Sequence, residues 1–374
     1  MTSNHGIRLS VVILSYNGMS HLPECLESIS GQTVQPHEVI LVDNGSIDGS
    51  PEWVRTHYPG IRTIPLPENR GFCHGMNTGV AEAAGDWVLL LNQDVRLDLD
   101  CLRAGIDAIA SPPPDPQPHE GTPRAIAGVF PKIMFHPVPG FINAFGTDWF
   151  ECCHWRDVRV GLPDLGCFTE AETVFGSIFP AVMIQRKIFT DAGGFDPMFW
   201  SYCEDFDLCY RMNILGYRFT TAPRAVIYHK YRASSRDDSD PLWSRYWFIR
   251  NYLLVFLKNY ECRNLIRYGR RIYRRYLGNV LTAARRSRNT REWRMCIRIM
   301  GSLLLNLPRI LRRRYMIQRR RVLGDCTVWR DTRPIEDFNI FHVEGCIVLS
   351  LLAMRVAEQK VESYRINDVK FWVR

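Results

Sequence analysis

Two acidic clusters in this chain have the residue types and spacing of a site that binds a charged ligand and moves a proton. The first is Asn92-Gln93-Asp94, and the second, Glu204-Asp205, begins 110 positions after Asp94. An apolar stretch runs into the first cluster and an aromatic stretch into the second, so each carboxylate is expected at the tip of a buried element. Ligands of open α/β sheets bind in the crevice at such strand ends. Two carboxylates there suit two tasks, holding a cation and accepting a proton, which favours an enzyme over a binding module.

Each of these acids also has a purely structural interpretation. Asp94 could be a solvated loop acid. Three acids in the first turn of a helix, Glu204, Asp205 and Asp207, would complement the helix dipole. Against this, the aromatic residues from Phe199 to Tyr202 imply an enclosed setting. Enclosure raises the pKa of a carboxyl towards the range that a general base needs.

Other polar residues stand where further elements end or begin. Asp43 could accept hydrogen bonds from a nucleobase or a ribose hydroxyl, or it could simply cap the following helix. Asn69-Arg70-Gly71, followed by Asn77, suits a sugar nucleotide passing a helix N-terminus, although a tight loop explains the glycines nearly as well. This segment is not a P-loop, because no Gly-Lys-Ser/Thr follows. His229 stands alone at a strand end, where a histidine is more often structural than a ligand.

Continuous apolar runs alternate with helical patterns over the first hundred residues and resume after a proline-rich loop at 111–118. Strands are expected at Leu9–Leu14, Glu38–Val42, Ile61–Ile64, Trp87–Leu91, Ala125–Phe130 and Arg218–His229. Such runs separated by helices indicate an α/β protein with a parallel sheet covered on both faces. The aperiodic region 141–173 is expected to form loops over the site.

The polar motifs occur in a fixed order along the chain. They are Ser15-Tyr16-Asn17, Val42-Asp43-Asn44-Gly45-Ser46, Asn69-x-Gly71-Phe72-x-x-Gly75-x-Asn77-x-Gly79, Leu91-Asn92-x-Asp94, Gly193-Gly194-Phe195-Asp196, Glu204-Asp205-x-Asp207-Leu208-x-x-Arg211 and Tyr228-His229. This ordered set, covering about residues 9–232, resembles the family 2 glycosyltransferases, most closely the rhamnosyltransferase-like branch of bacterial polysaccharide synthesis. The resemblance implies a GT-A fold, Rossmann-like and mostly parallel. It also implies inverting transfer from a nucleotide diphosphate sugar to a hydroxyl of a glycan or lipid-linked acceptor.

The resemblance also implies a role for each site residue. Asp205 would be the base that deprotonates the acceptor hydroxyl, and the spacing leaves open whether Glu204 or Asp207 shares that role. Asp94 and His229 would bind Mg²⁺ or Mn²⁺, and Asn92 replaces the first acid of the family's DxD motif, so metal affinity would lean on the diphosphate and His229. The residues expected to bind the nucleotide sugar are Ser15, Tyr16, Asn17, Asp43, Asn69, Gly71, Asn77, Asn92 and Asp94.

The chain is basic in one segment only. Pro241 to Gly324 contains 22 lysines and arginines against two acids, whereas the whole chain carries a net charge of +8. Arginines with aromatics and an apolar stripe fit helices that lie in an anionic membrane interface. Two other interpretations are helices whose arginines cover an acidic face of the catalytic part, and nucleic-acid binding, which is not expected.

These features predict two regions, a catalytic domain at 1–235 and a basic helical extension with a mixed tail at 236–374. The N-terminus does not read as a signal peptide, and the apolar run Cys346 to Met354 is too short to span a bilayer. Twelve cysteines without a CxxC motif indicate reduced thiols. We therefore expect a cytoplasmic enzyme on the inner face of the plasma membrane. The family resemblance implies dTDP-rhamnose or a UDP-sugar as donor. The alternative is a catalytically silent nucleotide-sugar or membrane-binding protein.

Overall fold

The fold comes from a computed structural model of the protein. The residues described are 6–150, 153–157, 159–166, 168–230, 241–287 and 290–329. The predicted boundary between residues 235 and 236 and the tail from residue 330 onwards lie outside them.

Strands and helices alternate through the first part of the chain, and helices follow from residue 241. The strands are β1 Leu9–Ser15, β2 Glu38–Asp43, β3 Arg62–Pro65, β4 Trp87–Asn92, β5 Val95–Leu97, β6 Ile126–Phe135, β7 Ile142–Ala144, β8 Thr147–Phe150, β9 His154–Asp157, β10 Thr173–Val174, β11 Ala181–Gln185 and β12 Arg218–His229. The helices are α1 Leu22–Ser30, α2 Ser50–His57, α3 Phe72–Glu82, α4 Cys101–Ala110, α5 Arg186–Asp191, α6 Glu204–Ile214, α7 Pro241–Asn259, α8 Cys262–Tyr273, α9 Asn279–Ser287, α10 Thr290–Leu305, α11 Leu307–Gln318 and α12 Asp325–Val328.

One mixed sheet organises the first part of the chain, in the order β10-β12-β6-β11-β4-β1-β2-β3, with β5 added to β12 and β7 to β6. The strands β4, β1, β2 and β3 are mutually parallel, as the continuous apolar runs predict. β11 is antiparallel to both of its neighbours and separates this half from the parallel pair β6 and β12. The predicted α/β class is thus confirmed.

The region 141–173 differs from the expected loops, because it contains the short strands β7, β8, β9 and the start of β10. These strands have two to four residues each, which is too short for an alternating pattern to be visible in the sequence. The hairpin of β8 and β9 forms a separate two-stranded sheet.

Alternate residues of each central strand supply two hydrophobic cores, one on each face of the sheet. On β1, Val11 and Ile13 point into the core that α1, α2 and α4 cover. Val12 points into the other core, which α3 and α6 cover. That second core continues without interruption into α7, α8 and α10 and includes the fully buried Leu254 and Val255. The C-terminal helices therefore share their hydrophobic core with the sheet.

Of the helices in the described part of the chain, none is both long enough and apolar enough to cross a bilayer.

Candidate active site

The strand register brings three predicted site residues to one edge of the sheet. Ser15 at the end of β1 pairs with Asp43 of β2, and the residue before it, Leu14, pairs with Asn92 of β4. Asp43 is buried and accepts a hydrogen bond from the Ser46 amide at 3.1 Å. Parallel strands end at the same edge, so this geometry follows from the sheet itself.

Gln93 connects the two strand ends, a role that the sequence motifs leave unspecified. Its Oε1 accepts hydrogen bonds from Ser15 Oγ at 2.8 Å and from the Tyr16 amide at 3.0 Å. Its Nε2 donates to the Tyr16 carbonyl at 3.1 Å. Asn17 follows with a φ of 49° and accepts the Ile47 amide at 3.0 Å. The buried Gln93 thereby fixes the loop after β1 against the acidic cluster.

A second turn borders the same edge and is held by side-chain amides. Asn44 Nδ2 donates to Asn69 Oδ1 at 3.0 Å, and Asn44 Oδ1 accepts the Arg70 amide at 3.0 Å. Asn69 Oδ1 also accepts the Gly71 amide at 2.9 Å. Gly45, with a φ of 79°, lies so close to the chain that an added Cβ would come within 2.7 Å of the Glu68 backbone. This turn is therefore preformed.

Asn77 lies on α3 and contacts the loop after α5. Its Nδ2 donates to the Phe195 carbonyl at 2.8 Å, and its Oδ1 accepts the Phe195 amide at 2.9 Å. The side chain thus ties the Gly193-Gly194-Phe195 segment to α3, and its contact with the nucleotide sugar stays a prediction.

Asp94 and His229 meet because β5 pairs with the end of β12. His229 Nε2 lies 3.8 Å from Asp94 Oδ1, and Asp94 is 1% exposed. His229 Nδ1 lies 3.0 Å from Oδ1 of the buried Asn143, which is the geometry of an Nδ1–H donor. Burial lowers the pKa of His229, while Asp94 opposes that shift. A neutral imidazole held in this tautomer presents its Nε2 lone pair towards Asp94.

The second acidic cluster forms the first turn of α6, and its three acids have different surroundings. Asp207 is fully buried, with Arg211 Nε at 2.8 Å and Lys258 Nζ at 3.1 Å, so it is committed to ion pairs. Glu204 is buried, and its Oε2 has no hydrogen-bond partner among the described residues. Asp205 is the more exposed of the two remaining acids.

Burial raises the pKa of both Asp205 and Glu204. For Asp205 the result is a pKa of about 7, even though hydrogen bonds from the Phe206 and Phe179 amides favour the carboxylate. The pKa of Glu204 lies well above its usual range because of burial and the nearby Asp205. The Phe179 amide bonds to Asp205, and the carbonyl of the next residue, Pro180, accepts the Asn92 amide at 2.9 Å. The segment Phe179-Pro180 thus connects Asp205 to the first acidic cluster. A carboxyl with a pKa near neutrality is suited to accept a proton.

The chain matches two family profiles. One is glycosyl transferase family 2, over residues 10–115, and the other is glycosyl transferase family group 2, over residues 87–311. The second match includes both acidic clusters and extends through α7 to α10, well beyond the motifs that suggested the family.

One relative of known activity class is similar to a large part of the chain. The chain is 28% identical over 254 residues to the N-acetylglucosaminyl-diphospho-decaprenol L-rhamnosyltransferase of Mycobacterium tuberculosis, covering 63% of this chain and 80% of that one.

Two solved structures show the same fold. GalNAc-T7, crystallised with UDP, GalNAc and Mn²⁺, matches with a TM-score of 0.54 and 18% identity over 71% of this chain and 50% of its own. S. aureus TarS matches with a TM-score of 0.51 and 15% identity over 86% of this chain and 54% of its own. The expectation of a catalytically silent protein finds no support among these relatives. With a family profile that spans residues 87–311, the chain belongs to the family 2 glycosyltransferases and is an enzyme with the GT-A fold.

Proposed function

We propose that this enzyme inverts configuration as it transfers a sugar from a nucleotide diphosphate sugar to a hydroxyl of a lipid-linked or glycan acceptor in cell-surface polysaccharide synthesis. The observation that carries the proposal is the position of Asp205 in the first turn of α6 beside the donor edge of the sheet, where its Oδ1 accepts the Phe206 amide at 2.8 Å and burial raises its pKa to about 7. The rhamnosyltransferase similar to this chain makes dTDP-rhamnose the first donor to test and a UDP-sugar the second.

The donor would lie along the sheet edge. Asp43 would accept hydrogen bonds from the base or ribose, between the loop at Ser15-Tyr16-Asn17 and the turn at Asn69-Arg70-Gly71. Gln93 accepts a hydrogen bond from the first segment, and Asn44 donates one to the second, so both segments are fixed. A preformed site of this kind orients the donor at a small entropic cost on binding.

Asp94 and His229 fit a divalent cation by their chemistry. Carboxylate oxygen and neutral imidazole nitrogen are ligands of Mn²⁺, and Mg²⁺ commonly takes one or two carboxylates plus phosphate oxygens and water. Among the described residues no three His, Cys, Asp or Glu side chains cluster to hold a metal alone. The donor diphosphate would therefore complete the coordination, and the bound ion would supply charge stabilisation for the leaving diphosphate.

In the transfer step, Asp205 would accept the proton of the acceptor hydroxyl. As that oxygen forms its bond to the anomeric carbon, the bond from this carbon to the diphosphate oxygen breaks, and its electron pair leaves with the nucleotide diphosphate. Attack from the face opposite the leaving group inverts the anomeric configuration. Loss of the base is expected to affect this step and not donor binding.

The proposal is tested by incubating the enzyme with a panel of nucleotide sugars and Mn²⁺ or Mg²⁺ and measuring free nucleotide diphosphate. Release from one donor above all others would identify it. Absence of release and of binding across the panel would reject the proposal.

The metal assignment predicts a selective loss of affinity. Asp94→Ala should weaken binding of the intact donor much more than binding of the bare nucleoside, because only the donor carries the diphosphate that shares the cation.

Asn143→Ala, which removes the hydrogen bond that orients His229, should lower Mn²⁺ affinity by about 10 to 100-fold. Calorimetric titration of each ligand measures both effects. Full transfer activity in excess EDTA would contradict the assignment.

We also propose that an anionic lipid surface binds the basic segment, specifically at α10 and α11. Exposed apolar side chains follow one stripe of α10 at helical spacing, namely Trp293, Ile297, Met300 and Leu304. Residues 290–321 hold ten arginines and one acid, Glu292. Apolar side chains beside arginines match the boundary between acyl chains and anionic headgroups. Such binding would keep the enzyme at the inner face of the plasma membrane.

The lipid proposal predicts salt-sensitive sedimentation with vesicles of anionic phospholipid. Binding should weaken as ionic strength rises, because the Debye length falls to about 8 Å at 0.15 M. Ile297→Glu with Leu304→Glu should abolish it, because Ile297 and Leu304 are 69% and 63% exposed in the stripe. Leu99→Glu is the matched control, since Leu99 is 61% exposed on the catalytic part. Equal binding to neutral vesicles would contradict the proposed attraction to anionic lipid. Self-association through the stripe would indicate that a second copy of the chain covers it.

A further inference from the structure

The loop that leads into α6 has an unusual backbone. Trp200, Tyr202 and Cys203 have φ angles of 63°, 70° and 64°, in the left-handed region, and none of them is glycine. Side chains with a Cβ adopt this conformation only where surrounding contacts enforce it, and such residues cluster near functional sites. Cys203 immediately precedes Glu204 and Asp205, so the loop conformation determines where α6 starts.

Asn251 on α7 supplies the enforcing contacts. Asn251 is fully buried. Its Nδ2 lies within hydrogen-bond distance of three carbonyl oxygens of the loop, at 3.0 Å from Phe199, 2.9 Å from Ser201 and 2.7 Å from Tyr202. The amide oxygen of Asn251 accepts a hydrogen bond from Arg250 Nη1 at 2.8 Å. The same guanidinium also donates to the Met198 carbonyl. One side chain and its neighbour thus bind the loop backbone from residue 198 to residue 202.

The opposite side of the loop contacts the donor turn. The Phe72 amide donates to the Trp200 carbonyl at 2.8 Å. A Cβ added to Gly71 would lie 2.8 Å from the Trp200 ring and 2.9 Å from its carbonyl oxygen. The loop is therefore enclosed between the turn that precedes α3 and the buried face of α7. A change at Asn251 is expected to move the loop backbone.

We propose that Asn251 is a positioning residue for the transfer step, acting through the left-handed loop to place Asp205. The inference rests on the proposed role of Asp205 as base, and it extends that role to a residue of the basic segment. Asn251 binds the carbonyl groups of the loop, and its effect on Asp205 is transmitted by the loop backbone.

A purely structural role would make Asn251 one of several buried polar groups that stabilise the C-terminal helices. Asn264 on α8 is such a group, because its Nδ2 donates at 2.7 Å to Oδ2 of Asp325, which lies on α12 and not in the loop. Asn264→Ala is therefore the matched control for Asn251→Ala: both remove a buried asparagine of the C-terminal helices.

The experiment measures kcat, the donor dissociation constant and the thermal midpoint for each variant of the full chain. Asn251→Ala should lower kcat by about 10²-fold, since a small misplacement of a reacting group costs about that much, with donor affinity changed by less than a few fold. Asn251→Ser, a milder change that retains one donor, should give an intermediate kcat and serves if the alanine variant does not fold. Asn264→Ala should lower the thermal midpoint with little change in kcat.

A rescue experiment separates backbone positioning from general damage. Glycine adopts positive φ without strain. Asn251→Ala should therefore lower kcat less when it is introduced into the Cys203→Gly variant than when it is introduced into the wild-type chain. An equal loss of kcat in both backgrounds would overturn the inference. So would a wild-type kcat in folded Asn251→Ala or Asn251→Ser. If instead Asp205→Asn retained turnover, the base assignment would fail, and that result is distinct from failure at Asn251.

Discussion

Asp205→Asn is expected to lower kcat by about 10² to 10⁴-fold, the usual cost of losing a general base. The amide is nearly isosteric but cannot accept the proton of the acceptor hydroxyl. Donor affinity should change by less than a few fold, because the donor contacts proposed here lie at the sheet edge. Rapid measurement of nucleotide diphosphate release with acceptor present gives kcat, and calorimetry gives the donor dissociation constant.

Two comparisons sharpen this test. Wild-type turnover should decline as pH falls through about 7, because protonation of Asp205 removes the base, and the residual activity of Asp205→Asn should lack that dependence. Glu204→Gln should cost less than Asp205→Asn, since burial raises the Glu204 pKa and favours its protonated form. If Glu204→Gln were the more damaging change, Glu204 and not Asp205 would be the base.

Lys258→Met is expected to lower the free energy of unfolding by about 3 to 5 kcal/mol, the typical cost of removing one partner of a buried ion pair. Lys258 is fully buried and pairs with both Asp196 and Asp207. Burial alone would raise the pKa of Asp196, but the Lys258 charge overrides it and lowers that pKa to about 2. Without Lys258, Asp196 would lose this compensation, while Asp207 would keep Arg211.

Equilibrium unfolding in denaturant measures this loss. Lys187→Met is the control, since Lys187 forms an exposed ion pair with Asp191 on α5 and its removal should leave the unfolding midpoint nearly unchanged. An unfolding midpoint of Lys258→Met equal to that of Lys187→Met would show that the ion pairs of α7 do not stabilise the fold.

The features that the sequence predicts well are those encoded over a few consecutive residues. The continuous apolar runs of β1, β2 and β4 predict the parallel half of the sheet, and the polar residue at the end of each run predicts the donor edge. The predicted strand Arg218–His229 also agrees with β12 at both ends. In each case neighbouring residues along the chain determine the structure.

The features that could not be predicted depend on contacts between distant residues. Gln93 orients the loop after β1 across 77 positions, and Asn143 orients His229 across 86. An isolated glutamine or asparagine in a sequence has no pattern that identifies such a partner. Whether Asp207 shares the base role expected of Asp205 could not be predicted either, because the ion pairs of Asp207 with Lys258 and Arg211 depend on how α7 packs against α6.

The basic segment uses part of its positive charge inside the fold. Arg250 and Lys258 of α7 point inward, the former to the loop carbonyls and the latter to carboxylates. Arg314 of α11 donates to the Tyr260 carbonyl just beyond the end of α7 at 2.6 Å. Arg294 and Arg298 of α10 are exposed. Inward cations therefore stabilise the fold, while the exposed ones are available to the lipid surface proposed above.

The continuous core beneath α7 also governs how this enzyme could be recombined with its relatives. A chimera that exchanged everything after residue 240 would separate Leu254 and Val255 from the sheet-side core, Asn251 from its loop and Lys258 from its carboxylates. A crossover placed after α7 would keep all of these contacts, but the core residues of α8 and α10 would still have to match the sheet-side core. In engineering terms, α7 is part of the catalytic module.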